Sequence, residues 1–170
     1  PQIIDEYEQK YPSKVKAFHK QNGGEFTSRN YGLERANGEY VTFVDTDDYV
    51  ELNWAEKLYN TAKQNNADLA ICAFERIDLK TNKVIATNMT NFGNAIKKID
   101  PNDDYLLFIN PAPWNKVYRR ELIKDLRFLP FRGFNDTMFL MSSYTRIKKI
   151  AFIPDVLYHY YLRYDSQIHT

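Results

Sequence analysis

An α/β sheet covered by helices is the fold class predicted for this chain, on three observations. The first third alternates helical with strand-like periodicity. The run Tyr40 to Val44, introduced by Gly38, is rich in β-branched and aromatic residues and ends in Asp45, Thr46, Asp47 and Asp48. Apolar runs at 69–74 and 150–153 then bring back strand character after intervening helical patterns. In open α/β sheets ligands bind at the C-terminal ends of strands, which is where these carboxylates crowd. Carboxylates so close repel one another, so the turn must be wet or must hold a cation for part of its working cycle.

Taken in order, Ile3, Ile4 and Tyr7 recur at helical spacing behind Pro1, which predicts an amphipathic helix over 1–11, ended by Pro12 and Ser13. Val15 and Ala17 alternate with lysines as a short strand would. Asn22, Gly23 and Gly24 turn the chain into a helix from Phe26 to Ala36, followed by the strand Tyr40 to Val44. Asn53 opens a helix over 54–64, and Leu69 to Phe74, extended to Ile77, is a strand whose hairpin tip at Thr81 and Asn82 leads to another at 83–87. Residues 88–100 carry weak patterns. Asp100 and Pro101 open a predicted helix through Phe108, with Asp103 and Asp104 in its first turn, where the dipole favours acids. Pro111 to Trp114 form a rigid segment, Asn115 to Tyr118 run into a short helix at 120–124, and a further helix covers 137–144. Strands at 150–153 and 156–161 flank Pro154 and Asp155. With no repeat or linker, residues 1–170 read as one domain.

Composition excludes several function classes. A formal net charge of +1 offers no general attraction to nucleic acid or an acidic membrane. The single cysteine, Cys72, lies in an apolar run and reads as a core residue, so neither a disulfide framework nor a zinc cluster is available. No stretch is long and apolar enough to span a membrane. The Asp-rich turn does not fit a helix-loop-helix calcium site, because counting from Asp45 puts Tyr49 at a ligand position and Val50 where glycine is required. A turn or helix-cap role for one or two of these Asp residues remains the alternative.

Four stretches, in order, resemble one family. They are NGGEFTSRNYGLERANGEYVTFVDTDDYV at 22–50, PWNKVYRRELI at 113–123, GFNDTMF at 133–139 and KKIAFIPDVLYHYYLR at 148–163. Together they are similar to family 2 glycosyltransferases, whose GT-A fold is a mixed sheet flanked by helices that binds nucleotide sugars. The resemblance implies a divalent cation, Mg²⁺ or Mn²⁺, on an Asp-X-Asp motif, with Asp47 as its main ligand and Asp45 near the ribose or the metal. It implies that Asp136 is the general base of an inverting transfer, a helix cap being the alternative. Asn135 stands where the family has Glu. Arg29 and Asn30 fall near the nucleotide, a simple surface salt bridge being the alternative for Arg29; Lys116 and Trp114 border the diphosphate or the acceptor, Trp114 being equally a core residue; and His159 is a candidate third metal ligand or else a packed strand residue.

The family's first two strands have no counterpart ahead of Pro1, so the chain reads as an N-terminally truncated catalytic domain whose exposed sheet edges favour self-association. The expected activity is transfer from a nucleotide-sugar donor, a UDP-sugar foremost, to a carbohydrate or lipid-linked saccharide acceptor in cell-surface polysaccharide synthesis, with no nucleic-acid partner. The expected location is the cytoplasm, at the inner membrane face if the acceptor is lipid-linked. A non-catalytic carbohydrate-binding or scaffolding member is the alternative, and a metal-dependent phosphate-ester hydrolase a more distant one.

Overall fold

The computed structural model describes residues 1–100, 102–131 and 133–163. In chain order the elements are α1 (Gln2–Lys10), α2 (Glu25–Arg35), β1 (Tyr40–Thr42), β2 (Tyr49–Val50), α3 (Trp54–Gln64), β3 (Leu69–Asp78) and β4 (Lys83–Asn88). There follow β5 (Ile96–Lys98), β6 (Lys116–Arg119), α4 (Arg120–Ile123), α5 (Asn135–Tyr144) and β7 (Lys149–Leu162), with 3-10 turns at Thr90–Phe92 and Asp104–Phe108.

One mixed sheet runs β1-β6-β3-β7-β2, with β4 beside the far end of β3 and β5 beside the start of β7. The parallel pair β3 and β7 forms its spine, and the other pairings are antiparallel. Leu69 to Phe74 are all buried, as a strand covered on both faces requires. Helix α3 contributes Trp54, Leu58 and Ala62, spaced four residues apart on one face. Helix α5 contributes Phe139 and Leu140, and its Phe139 ring stacks on Phe128 with centroids 3.9 Å apart.

β1 and the helices other than the one expected up to Phe108 lie close to their predicted places, α3 at the same residues, but several strand expectations change. Val15 and Ala17 do not form a strand: the Val15 N–H closes a turn on the Tyr11 carbonyl, and the Ala17 N–H donates to Glu8. Residues 96–98 are a strand because β7 supplies their hydrogen bonds, and 116–119 because β1 and β3 do so from either side, which periodicity over three or four residues does not reveal. The two strands expected around Pro154 are one. Leu69 lies opposite Ile150 and Phe74 opposite Tyr158, so five steps along β3 match eight along β7; two of the three extra residues, Pro154 and Asp155, bulge between the partners of Cys72 and Ala73, and the third, Leu157, between those of Ala73 and Phe74. A bulge is where a strand tolerates proline. The expected helix up to Phe108 is only a 3-10 turn, Asp104–Phe108; its Pro101 lies outside the described residues.

Helix α1 buries nothing, and its Ile3, Ile4 and Tyr7 face outward, so its apolar stripe does not contribute to the core. Among the described residues no helix is long and apolar enough to cross a membrane.

Candidate active site

The Asp-rich turn leaves β1 and is clipped to β7 at several points. Asp48 N–H donates to the Asp45 carbonyl at 3.2 Å, closing the turn. Tyr158, fully buried on β7, places its Oη beneath it, donating to Asp48 Oδ2 at 2.6 Å and accepting the Asp45 N–H at 3.2 Å. The Tyr161 N–H gives Asp48 Oδ1 a second donor at 3.0 Å. Burial pushes the Asp48 carboxyl up to about 6 despite these two donors, so Asp48 acts as an inward anchor. Asp47 is left pointing outward, 43% exposed, with Arg163 at 3.6 Å as a loose partner.

The centre of the site is Arg29, whose side chain is 8% exposed. Its Nη2 donates to Asp45 at 2.8 and 3.1 Å and its Nη1 to Asp136 Oδ1 at 2.6 Å. Glu25, one helical turn earlier on α2, lies 3.7 Å away, and the guanidinium rests 5.4 Å from the centre of the Phe128 ring. A planar fork of donors suits this task, because one guanidinium can satisfy two carboxylates at once. It thereby joins the strand-end turn to the start of α5. Asp136 feels opposed influences: burial foremost, with the Glu25 and Asp45 carboxylates adding to it, pushes its carboxyl up to about 6, and Arg29 pulls it down. Burial wins, which brings the group within reach of neutral pH.

Asn30, adjacent to Arg29, faces another way. Its Nδ2 donates to the Phe128 carbonyl and its Oδ1 accepts the Phe128 N–H, at 2.9 and 2.8 Å, so both ends of the amide brace the segment that carries the ring under Arg29. Lys116 also differs from expectation. It is fully buried, and its three ammonium hydrogens go to the carbonyls of Asn110 and Ala112 and to Asn115 Oδ1, at 2.6, 2.7 and 2.7 Å. Burial lowers it to about 7. With every donor used internally, Lys116 ties the 110–115 loop to the sheet rather than lining a surface. Trp114 is core, edge-on to Phe74 and stacked on Tyr158.

His159 does not share the face of Tyr158, because neighbouring strand residues point opposite ways. Its ring nitrogens lie 2.9 Å from Glu51 and 3.4 Å from Glu75, and its ring leans on Tyr49. Among the described residues no three His, Cys, Asp or Glu side chains gather as a ready-made metal cage. A phosphate-bound Mg²⁺ or Mn²⁺ does not need one, since such ions take one or two carboxylates and complete their shell with water and phosphate oxygens. Asp47, outward and loosely paired, with Asp45 two residues away, fits that donor set.

Three residues that sequence reasoning did not single out shape the site. Tyr158 anchors the Asp turn, Phe128 supports Arg29, and Glu25 holds Asn135 through a 2.6 Å bond from Asn135 Nδ2. Only Glu25 had a visible signal, its four-residue spacing from Arg29 on α2.

Comparisons with known proteins bear on the family and the fold. A family model described as glycosyl transferase family 2 matches residues 1–127. The chain is 31% identical to a cholesterol galactosyltransferase of Borreliella burgdorferi, over 97% of this chain and 49% of that protein. It is 27% identical to a poly(ribitol-phosphate) beta-glucosyltransferase of Bacillus spizizenii, over 97% of this chain and 26% of that one. The crystal structure of S. aureus TarS 1-349 in complex with UDP-GlcNAc superposes with a TM-score of 0.75 at 22% identity, covering 100% of this chain and 49% of that chain, so the fold is GT-A. The chain thus spans about half the length of the first of these relatives and of the solved structure. From the family model and the shared fold, the chain belongs to glycosyltransferase family 2.

Proposed function

We propose that residues 1–170 are part of a catalytic domain that transfers a sugar, with inversion, from a nucleoside diphosphate donor to a carbohydrate acceptor in cell-surface polysaccharide synthesis. The observation that carries this reading is the Arg29 bridge, which sets Asp136, a carboxyl raised to about 6, against the turn that presents Asp47. A general base works best when its pKa lies near the working pH. In this reading Asp136 takes the proton of an acceptor hydroxyl as its oxygen attacks the anomeric carbon. The bond to the diphosphate breaks with its electron pair leaving on the diphosphate. Asp47 and Asp45 are the residues that would hold Mg²⁺ or Mn²⁺, which would supply positive charge to offset that developing on the departing diphosphate. Arg29 keeps Asp45 and Asp136 in place beforehand and offers positive charge to the donor. UDP is the first nucleotide to try, in keeping with the ligand of the TarS structure. The reaction belongs on the cytoplasmic side, where nucleotide sugars are at hand, at the membrane face if the acceptor is lipid-linked.

A second reading, a carbohydrate-binding or scaffolding member without turnover, is favoured by Arg29 already occupying both carboxylates. Calorimetric titration of UDP in the presence of Mn²⁺, with and without Asp47→Ala, tests the donor site. Metal-dependent heat that Asp47→Ala removes supports the transferase reading. Its absence, repeated with other nucleoside diphosphates, supports the second.

A further inference from the structure

Asn30 follows Arg29 on α2, and the two side chains take hold of one residue, Phe128, 98 positions after Asn30. The Asn30 amide pairs with the backbone of that residue at both ends, Nδ2 donating to the Phe128 carbonyl at 2.9 Å and Oδ1 accepting the Phe128 N–H at 2.8 Å. Only one orientation of the amide does both, since turning it over would set its NH₂ against an N–H and its oxygen against a carbonyl. Phe128 is therefore fixed against α2, and with it the ring on which the guanidinium rests, 5.4 Å from its centre. A ring face is flat and carries partial negative charge, so it gives a planar cation both a seat and an orientation that an aliphatic side chain does not.

The same ring touches the two elements that carry the acids. Phe139 stacks on it, centroids 3.9 Å apart and planes within 4°, and Phe43 meets it edge-on at 5.2 Å. Phe43 lies just ahead of Asp45 in the run that ends in the Asp turn, and Phe139 follows Asp136 by nearly one turn of α5. Two layers thus span the same gap: Arg29 joins Asp45 to Asp136 by charge, and Phe128 joins Phe43 to Phe139 by packing. Phe128 is 1% exposed, and interior side chains packed this closely transmit displacement, so the apolar layer sets the distance that the polar layer has to bridge.

We propose that Asn30 and Phe128 are positioning residues of the site: Asn30 holds Phe128, and Phe128 seats Arg29 at the spacing at which one guanidinium grips both Asp45 and Asp136. That the seat serves donor binding rests on the transferase reading; that it holds Arg29 is measurable without any ligand. Nitrogen-15 NMR of the Arg29 guanidinium, identified by its loss in Arg29→Leu, reports rotation about the Cζ–Nε bond, which clamping at both Nη atoms slows. Phe128→Leu removes the ring. Asn30→Ala removes the grip at a half-buried helical position where alanine is a good helix former. Ala62→Gly, in the core on α3 and outside these rings, controls for general loosening, and circular dichroism verifies that each variant is folded. The expected result is rotation about threefold faster or more in Phe128→Leu and in Asn30→Ala, no change in Ala62→Gly, and Mn²⁺-dependent UDP affinity weakened about threefold or more by the first two. Unchanged rotation in a folded Phe128→Leu or Asn30→Ala protein, or rotation accelerated as much by Ala62→Gly, would overturn the proposal, as would UDP affinity that both variants leave intact. A wild type that binds no UDP sinks the transferase reading alone, because the rotation rates then still decide whether Asn30 and Phe128 hold Arg29.

Discussion

Replacing Arg29 with leucine removes the cation that Asp45 and Asp136 share. Three N–H to carboxylate bonds, at 2.6, 2.8 and 3.1 Å, disappear, while leucine keeps much of the apolar contact with Phe128. Removing one partner of a buried ion pair costs about 3–5 kcal/mol. The two carboxylates here keep 30% and 25% of their surface, so water recovers part of the loss and the lower end, about 3 kcal/mol at pH 7.5, is expected. At pH 5 the penalty should shrink to about 1–2 kcal/mol, because a carboxyl at about 6 is by then largely protonated even in the wild type and little of the Arg29–Asp136 ion pair remains to lose. Urea unfolding followed by the fluorescence of the buried Trp54 and Trp114 provides the measurement at both pH values. In a thermal melt the pH 7.5 loss corresponds to about 6–12 °C. A loss below about 0.5 kcal/mol at pH 7.5, or one larger at pH 5 than at pH 7.5, would refute the idea that one guanidinium neutralises both acids.

Wild-type stability should itself fall as pH rises from 5 to 7. Asp48 and Asp136 are both raised on folding to about 6, so the folded state binds more protons than the unfolded one in that window, and stability declines by about 1 kcal/mol per group; Asp136→Asn should remove about half of that slope in urea midpoints. Asp47→Ala is expected to shift unfolding by no more than about 0.5 kcal/mol, because its side chain is exposed and loosely paired, yet to abolish metal-dependent UDP binding by calorimetry. Tyr158→Phe removes the donor to Asp48 and the acceptor of the Asp45 N–H, and should cost about 1–3 kcal/mol; faster amide exchange at Asp45 to Asp48, by NMR, would show that the turn has come loose. Lys116→Met should cost about 3 kcal/mol or more in urea, by leaving three interior oxygens without their donor, whereas a surface lysine would cost almost nothing.

What sequence made legible were features whose cause is local. Trp54, Leu58 and Ala62 announce α3 by their own spacing, and Asp45 to Asp48 announce the strand-end turn by the oddity of three acids after an apolar run. The placement of Asp136 at the start of α5 was legible from its motif. What stayed hidden is decided at long range. The link from Arg29 to Asp136 spans 107 positions and appears in no periodicity. Lys116 was misjudged because lysine is almost never fully buried, and only the fold shows three oxygens converging on it. Val15 and Ala17 have the alternation of a strand, but a strand exists only where a neighbour accepts its hydrogen bonds.

The two irregularities of β7 between Ile153 and Tyr158 have a consequence in parity. Side chains on a strand alternate, so eight steps from Ile150 would return Tyr158 to the side that Ile150 occupies. Because the surplus over β3 is three, an odd number, Tyr158 instead joins Phe74 and Trp114, and its hydroxyl reaches the Asp turn. An even surplus would exchange the neighbours on that strand and present His159 to the same carboxylates. Whether a phenol or an imidazole stands beneath the acids is thus decided by the residue count of the irregular stretch just before Tyr158, where Leu157 makes the surplus odd.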